Sequence, residues 1–127
     1  MRNKFKNSIF VFIIFFFVFK SANANDPFIF DVTEIEILEN GNQINGYKGG
    51  TATSQDGSTI FAENFFYNKL TNILETIGDV KYFDKTKNIV ITADKAIYLK
   101  NEEKVFTTGN SKAVNENNKI TASILEY

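Results

Sequence analysis

Glu63 and Asp94 recur 31 positions apart in similar surroundings, which invites reading them as a paired acidic site. Two carboxylates can share general acid–base work when a partner group and a cleft accompany them. The sequence supplies little else for such work. It has no histidine, which removes the usual general base, the commonest metal ligand and any Ser-His-Asp arrangement. It has no cysteine, so there is no thiolate nucleophile, no thiolate metal site, no disulfide framework and no lipidated N-terminal cysteine. Trp is absent and Pro27 is the sole proline. Single carboxylates in strands usually face water, so Glu63 and Asp94 are read as structural turn or edge residues. We expect no catalytic residue, no metal and no cofactor, and therefore not an enzyme.

Charge separates the two ends of the chain. Arg2, Lys4, Lys6 and Lys20 lie in the first stretch; beyond residue 24 there are ten Lys and no Arg against fifteen Asp and Glu. That acidic balance argues against nucleic acid as a partner, because phosphates need a basic face. Apolar residues are too frequent for a disordered chain. With 127 residues, the chain can build one modest core.

The N-terminus reads as an export signal. A basic start is followed by the apolar run Ile9 to Phe19 and then by Ala22-Asn23-Ala24, an A-x-A cleavage pattern. The alternative, an uncleaved membrane anchor, needs roughly 20 apolar residues, about twice this run. Residues 1–24 are expected to be a signal-peptide helix removed on export, leaving 25–127 as the folded domain.

These later residues read as strand after strand. Phe28 to Leu38 and Ile89 to Ala93 alternate apolar and polar positions and are rich in β-branched and aromatic side chains. Turn signals fall at Asn40-Gly41, Asn45-Gly46, Asp56-Gly57, Asn68-Lys69, Asp84 to Asn88, Asn101 to Glu103 and Asn115 to Asn118. No segment shows a capped helical period. Thr71 to Ile77 could pass for a short helix, but Gly78 and its flanks favour a bent strand. The expectation is an all-β chain.

The strands also repeat. Ala62 to Tyr67 aligns with Ala93 to Tyr98 at a spacing of 31, and Gly78-Asp79 aligns with Gly109-Asn110 at the same spacing. Ala122 to Tyr127 is a third copy, and Val32 to Ile37 with Gly50 is an earlier, more worn one. Each unit of about 30 residues holds two strands and two turns, a period typical of stacked architectures. By strand alternation, Phe28, Phe30 and Val32 share a face, as do Ile89, Ile91 and Ala93, and Val80 with Tyr82. The Ala-to-Tyr stretches break alternation, which predicts a bulge or a fully buried strand there. Such a face fits either an ordinary packed core or an apolar groove open to long acyl chains, whose burial needs area and no directional partners.

Ile91-Thr92-Ala93-Asp94-Lys95-Ala96-Ile97-Tyr98, followed by Gly109-Asn110, resembles the OstA-like repeat, and Gly78-Asp79-Val80 matches its second half. The opening FIFDVTEIEILENGN is similar to the start of the N-terminal domain of LptD-type proteins. This resemblance implies a V-shaped β-jellyroll of stacked antiparallel repeats whose interior holds the acyl chains of lipopolysaccharide in the periplasm. The interior positions it implies are Phe28, Phe30, Ile60, Tyr67, Val80, Tyr82, Ile89, Ile91 and Tyr98. It also implies edge-strand stacking with other OstA-like domains and delivery to an outer-membrane translocon. The last repeat stops at Tyr127, so its final strand is expected to be completed by a partner or by a longer gene product. The competing expectation is a structural or adhesive β-repeat protein of β-helical or curli-like type.

Overall fold

The structure, a computed structural model, describes residues 27–127; the expected signal segment 1–24 lies outside the described residues. Eight strands follow in chain order: β1 (Phe28–Leu38), β2 (Gln43–Ser54), β3 (Thr59–Ala62), β4 (Asn64–Asn68), β5 (Ile73–Asp84), β6 (Ile89–Leu99), β7 (Lys104–Val114) and β8 (Lys119–Glu126). Every pairing is antiparallel, and the sheet order is β1-β2-β3-β5-β6-β7-β8, with β4 also bridging β2 and β5. β3 and β4 act as one strand interrupted at Glu63, since they pair with successive halves of the same neighbours.

The interruption at Glu63 belongs to a corner that crosses the whole sheet. Register shifts fall between Val32 and Glu34, Ile77 and Val80, Thr92 and Lys95, and Thr108 and Ser111. Each long strand therefore contributes one half to each of two arms. The first arm holds Phe28–Val32, the end of β2, β3, the end of β5, the start of β6, the end of β7 and the start of β8. The second holds the complementary halves and β4.

Ring contacts show that the arms face each other. Phe28 of the first arm meets Tyr67 at 5.1 Å and Tyr98 at 5.5 Å between centroids, and both tyrosines belong to the second. Phe30 meets Phe65 at 6.2 Å, and Tyr82 stacks on Tyr98 at 6.3 Å. A sheet folded at a line of bulges, with its inner faces packed together, is a V-shaped β-jellyroll.

The corner explains the repeat motif. In β6, Ile91 and Ala93 are buried, and so are Ala96 and Tyr98, so the buried set changes phase at Asp94-Lys95. The extra residue sits not in this Ala-to-Tyr stretch, as alternation suggested, but in its glycine-bearing neighbours. Gly78-Asp79 and Gly109-Asn110 both adopt positive φ. The Asp94 carboxylate lies over Gly109, and Glu63 lies over Gly78 in the same way; a Cβ on either glycine would come within 2.4 Å of a carboxylate oxygen. Asn110 donates to Asp94 at 2.9 Å, which ties the two strands at the bend. The recurring carboxylates are corner residues.

Turns form at Asn40-Gly41, Asp56-Gly57, Asn68-Lys69, 85–88, 101–103 and 115–118. Thr71 to Ile77 enters the bent strand β5 at Ile73. Asn45-Gly46 is not a turn but lies inside β2. A Cβ on Gly46 would meet Val32 at 3.0 Å and Phe65 at 3.4 Å, so this glycine serves close approach within the core.

Candidate functional site

Register turns the repeats into continuous inward rows. In the first arm, Phe30, Ala52, Ile60, Tyr82, Ile91, Ala113 and Ile120 are successive cross-strand partners. In the second, Ile37, Ile44, Tyr67, Leu74, Tyr98 and Val105 follow one another, and Tyr127 extends the row through paired backbone bonds to Val105 of 2.7 and 2.8 Å. Partners at such positions share a face, so each row is an apolar stripe running along the V.

Where the arms meet in the middle of the stack, the stripes are dry. Phe65 and Leu74 are fully buried and Tyr67 is 1% exposed. Seven of the nine expected interior residues, Phe28, Ile60, Tyr67, Val80, Tyr82, Ile91 and Tyr98, are buried in one cluster, and Phe30 and Ile89 are half-buried against it. Burial pushes the Tyr98 hydroxyl up to about 12, because a phenolate there would lose its hydration.

The stripes open at the ends of the stack. At the β8 end lies a groove of about 500 Å³, lined by Ile89, Ala113, Val114, Ile120, Ala122, Ile124, Leu125 and Tyr127, with Asn115, Asn118 and Glu126. Ile120 on its wall is 58% exposed. At the β1 end, Ile35 and Ile37 continue the inner face and are 52% and 61% exposed. Ile89 is the one expected residue that lines the groove. The sequence reading passed over Ile120, Ala122, Leu125 and Tyr127, although the third Ala…Tyr copy and the alternation from Ile120 to Ala122 carried the signal.

A polar cluster adjoins this groove through Tyr127. Asp84 is 6% exposed at the end of β5. Its carboxylate accepts from the Thr86 amide and hydroxyl at 2.9 and 2.5 Å, from the Lys87 amide at 3.0 Å, and from the Tyr127 hydroxyl at 2.9 Å. Burial alone would raise the Asp84 pKa, but these donors outweigh it and hold it below the usual carboxylate range. Burial, and then the bond to Asp84, push the Tyr127 hydroxyl upward. The Lys87 ammonium sits 4.9 Å from the centre of the Tyr127 ring.

The groove's walls are apolar, its few polar groups are mutually satisfied, and among the described residues no cluster of three or more acidic, histidine or cysteine side chains could hold a metal.

No family model and no curated protein matches this chain. Among solved structures it is similar to LptH from Pseudomonas aeruginosa, the LptA-homologous periplasmic component of a conserved lipopolysaccharide transport device. The TM-score is 0.71 at 12% sequence identity, over 80% of this chain and 76% of that one. The described residues therefore share the all-β fold of LptH, as the resemblance to the OstA-like repeat led one to expect.

Proposed function

We propose that this protein is a periplasmic lipopolysaccharide-binding transport component that shields acyl chains in its β groove on the way to the outer membrane. The observation that carries the reading is the apolar groove at the β8 end, continuous with the inward rows of a fold shared with LptH. Hydrocarbon gains roughly 0.8 kcal/mol per buried methylene and asks for no directional partner, which suits walls built from Ile, Ala and Leu. The nine interior residues then serve as the floor and spine of the cargo path, with Ile89 at its entrance. The export-signal pattern in the sequence of residues 1–24 and LptH's periplasmic setting support the location.

The free edges support the partner reading. Among the described residues β1 and β8 each pair on one side only, and inner-face isoleucines stay exposed on both, Ile35 and Ile37 on β1 and Ile120 on β8. An unpaired edge is a template for another strand, and adding a strand would extend both rows into a neighbouring OstA-like domain. The outer-membrane translocon is the last such neighbour in this reading.

Titrating the purified protein with lipid A tests the proposal. Saturable binding that a known OstA-like domain reproduces is the expected result; no binding under those conditions overturns it. The dry middle of the stack favours one second reading, a structural β-repeat protein that assembles through its edges. That reading expects fibres by electron microscopy and no lipid binding.

A further inference from the structure

Tyr127 stands between the open groove and the aromatic interior, and it does so by crossing from one arm to the other. Its backbone belongs to the second arm through the paired bonds to Val105. Its hydroxyl donates to Asp84 at the far end of the first arm, 2.9 Å away. Between these anchors its ring lies 5.9 Å from Tyr82, with Lys87 on it at 4.9 Å. Behind Tyr82 the rings continue through Tyr98 to Phe28.

The other ring contacts between the arms lie away from this groove. Tyr127 is different, because it is only partly buried and one side of it is groove wall. Asp84 is also well prepared for it. Two backbone amides and a threonine hydroxyl hold the carboxylate in place, so the bond to Tyr127 needs little ordering at that end.

We propose that Tyr127 is a latch that stands in for cargo: its ring fills the space into which the groove deepens, and its bond to Asp84 holds the arms closed over the interior until a hydrocarbon chain displaces it. The site this adds is an inner subsite walled by Tyr82, Ile89 and Leu125, whose occupant is an acyl chain or an equivalent apolar group. The inference rests on the reading of the groove as a hydrocarbon site. Cargo must break the Tyr127–Asp84 bond to enter fully, so the latch lowers affinity and makes binding coincide with opening of the arms.

The test uses N-phenyl-1-naphthylamine, an apolar dye that brightens on leaving water, titrated into the purified wild type, Tyr127→Phe and Tyr127→Ala. Tyr127→Phe keeps the ring and removes the bond to Asp84, so it preserves the core even if Tyr127→Ala unfolds. The expected result is about tenfold tighter dye binding by Tyr127→Phe, and higher dye capacity in a folded Tyr127→Ala. Equal or weaker binding by Tyr127→Phe, while the wild type binds, overturns the latch and leaves the groove standing. Binding by the variants alone supports the latch in its strongest form. Absence of binding in all three overturns the hydrocarbon groove and the latch with it.

Discussion

Replacing Gly109 by alanine tests the corner that sets the angle between the arms, and with it the width of the groove. Gly109 has φ +77, and a Cβ there would lie 2.4 Å from an Asp94 carboxylate oxygen and 2.9 Å from the Asp94 Cβ. The left-handed backbone costs an L-residue about 1–2 kcal/mol. The carboxylate can swing aside only by giving up its bond from Asn110, and the Cβ contact yields only if backbone moves, a strain of about 1–3 kcal/mol. Reduced freedom of the unfolded chain offsets about 0.4–1 kcal/mol. The expected net loss is about 2–3 kcal/mol. Gly57 is the control, because it has φ +88 and nothing within 4 Å of its missing Cβ. Gly57→Ala carries the backbone strain alone and should cost about 1 kcal/mol or less. Urea unfolding followed by far-ultraviolet circular dichroism reads both, with an unchanged m-value confirming that the folded state keeps its extent. Adding Asp94→Gly to Gly109→Ala removes both contacts and should bring its cost down to that of the control. Equal losses at Gly109 and Gly57, or no relief from Asp94→Gly, would refute the close-approach argument for the corner.

Two further outcomes follow from the groove and its polar end. The Asp56 and Asp84 pKa values are lowered in the fold, so their stabilisation is complete above the ordinary carboxylate range and lost as pH falls through about 4 and below. Those of Tyr82, Tyr98 and Tyr127 are raised, so their contribution holds below about pH 10 and is lost as pH climbs beyond it. Melting temperatures measured from pH 2 to 11 should fall at both ends, and a flat acid limb would contradict the hydrogen-bonded state of Asp84. Ile120→Asp places a charge on the exposed groove wall: it should change stability by no more than about 0.5 kcal/mol, yet weaken lipid A binding at least about tenfold. Unchanged lipid affinity in that variant would move the cargo site elsewhere.

Much of the fold was legible because strand chemistry is local. β-branched and aromatic residues at alternate positions, cut by Asn- and Asp-rich turns, specify antiparallel strands without help from distant contacts, and β1 and β6 formed where that pattern lay. Asn45-Gly46 misled because the same dipeptide suits a hairpin turn and a crowded core; what decides is Phe65 and Val32 pressing on Gly46, and neither is near in sequence. The Ala-to-Tyr stretch announced a change of phase, but which strand carries the extra residue depends on pairing. Alternation made Phe28 with Phe30, Val80 with Tyr82, and Ile89 with Ile91 readable as shared faces, whereas Ile60, Tyr67 and Tyr98 were legible only through the resemblance to the OstA-like repeat.

The amino-acid sequence by itself determined the strand-forming segments, the period of about 30 residues, the shared faces at Phe28 with Phe30 and Ile89 with Ile91, and the absence of histidine and cysteine, since each depends on residue type and short spacing. Only the tertiary structure decided where that inward face is sealed and where it is open. Phe28 and Phe30 fold onto Tyr67, Phe65 and Tyr98 because the bulges turn one arm over the other, and this seals the middle of the stack. No strand packs beyond β8 among the described residues, so Ile120 and Ala122 remain as groove wall, and Tyr127 reaches across to Asp84, 43 positions away in sequence. Closure of two arms is a property of pairs of distant residues, which no local pattern encodes.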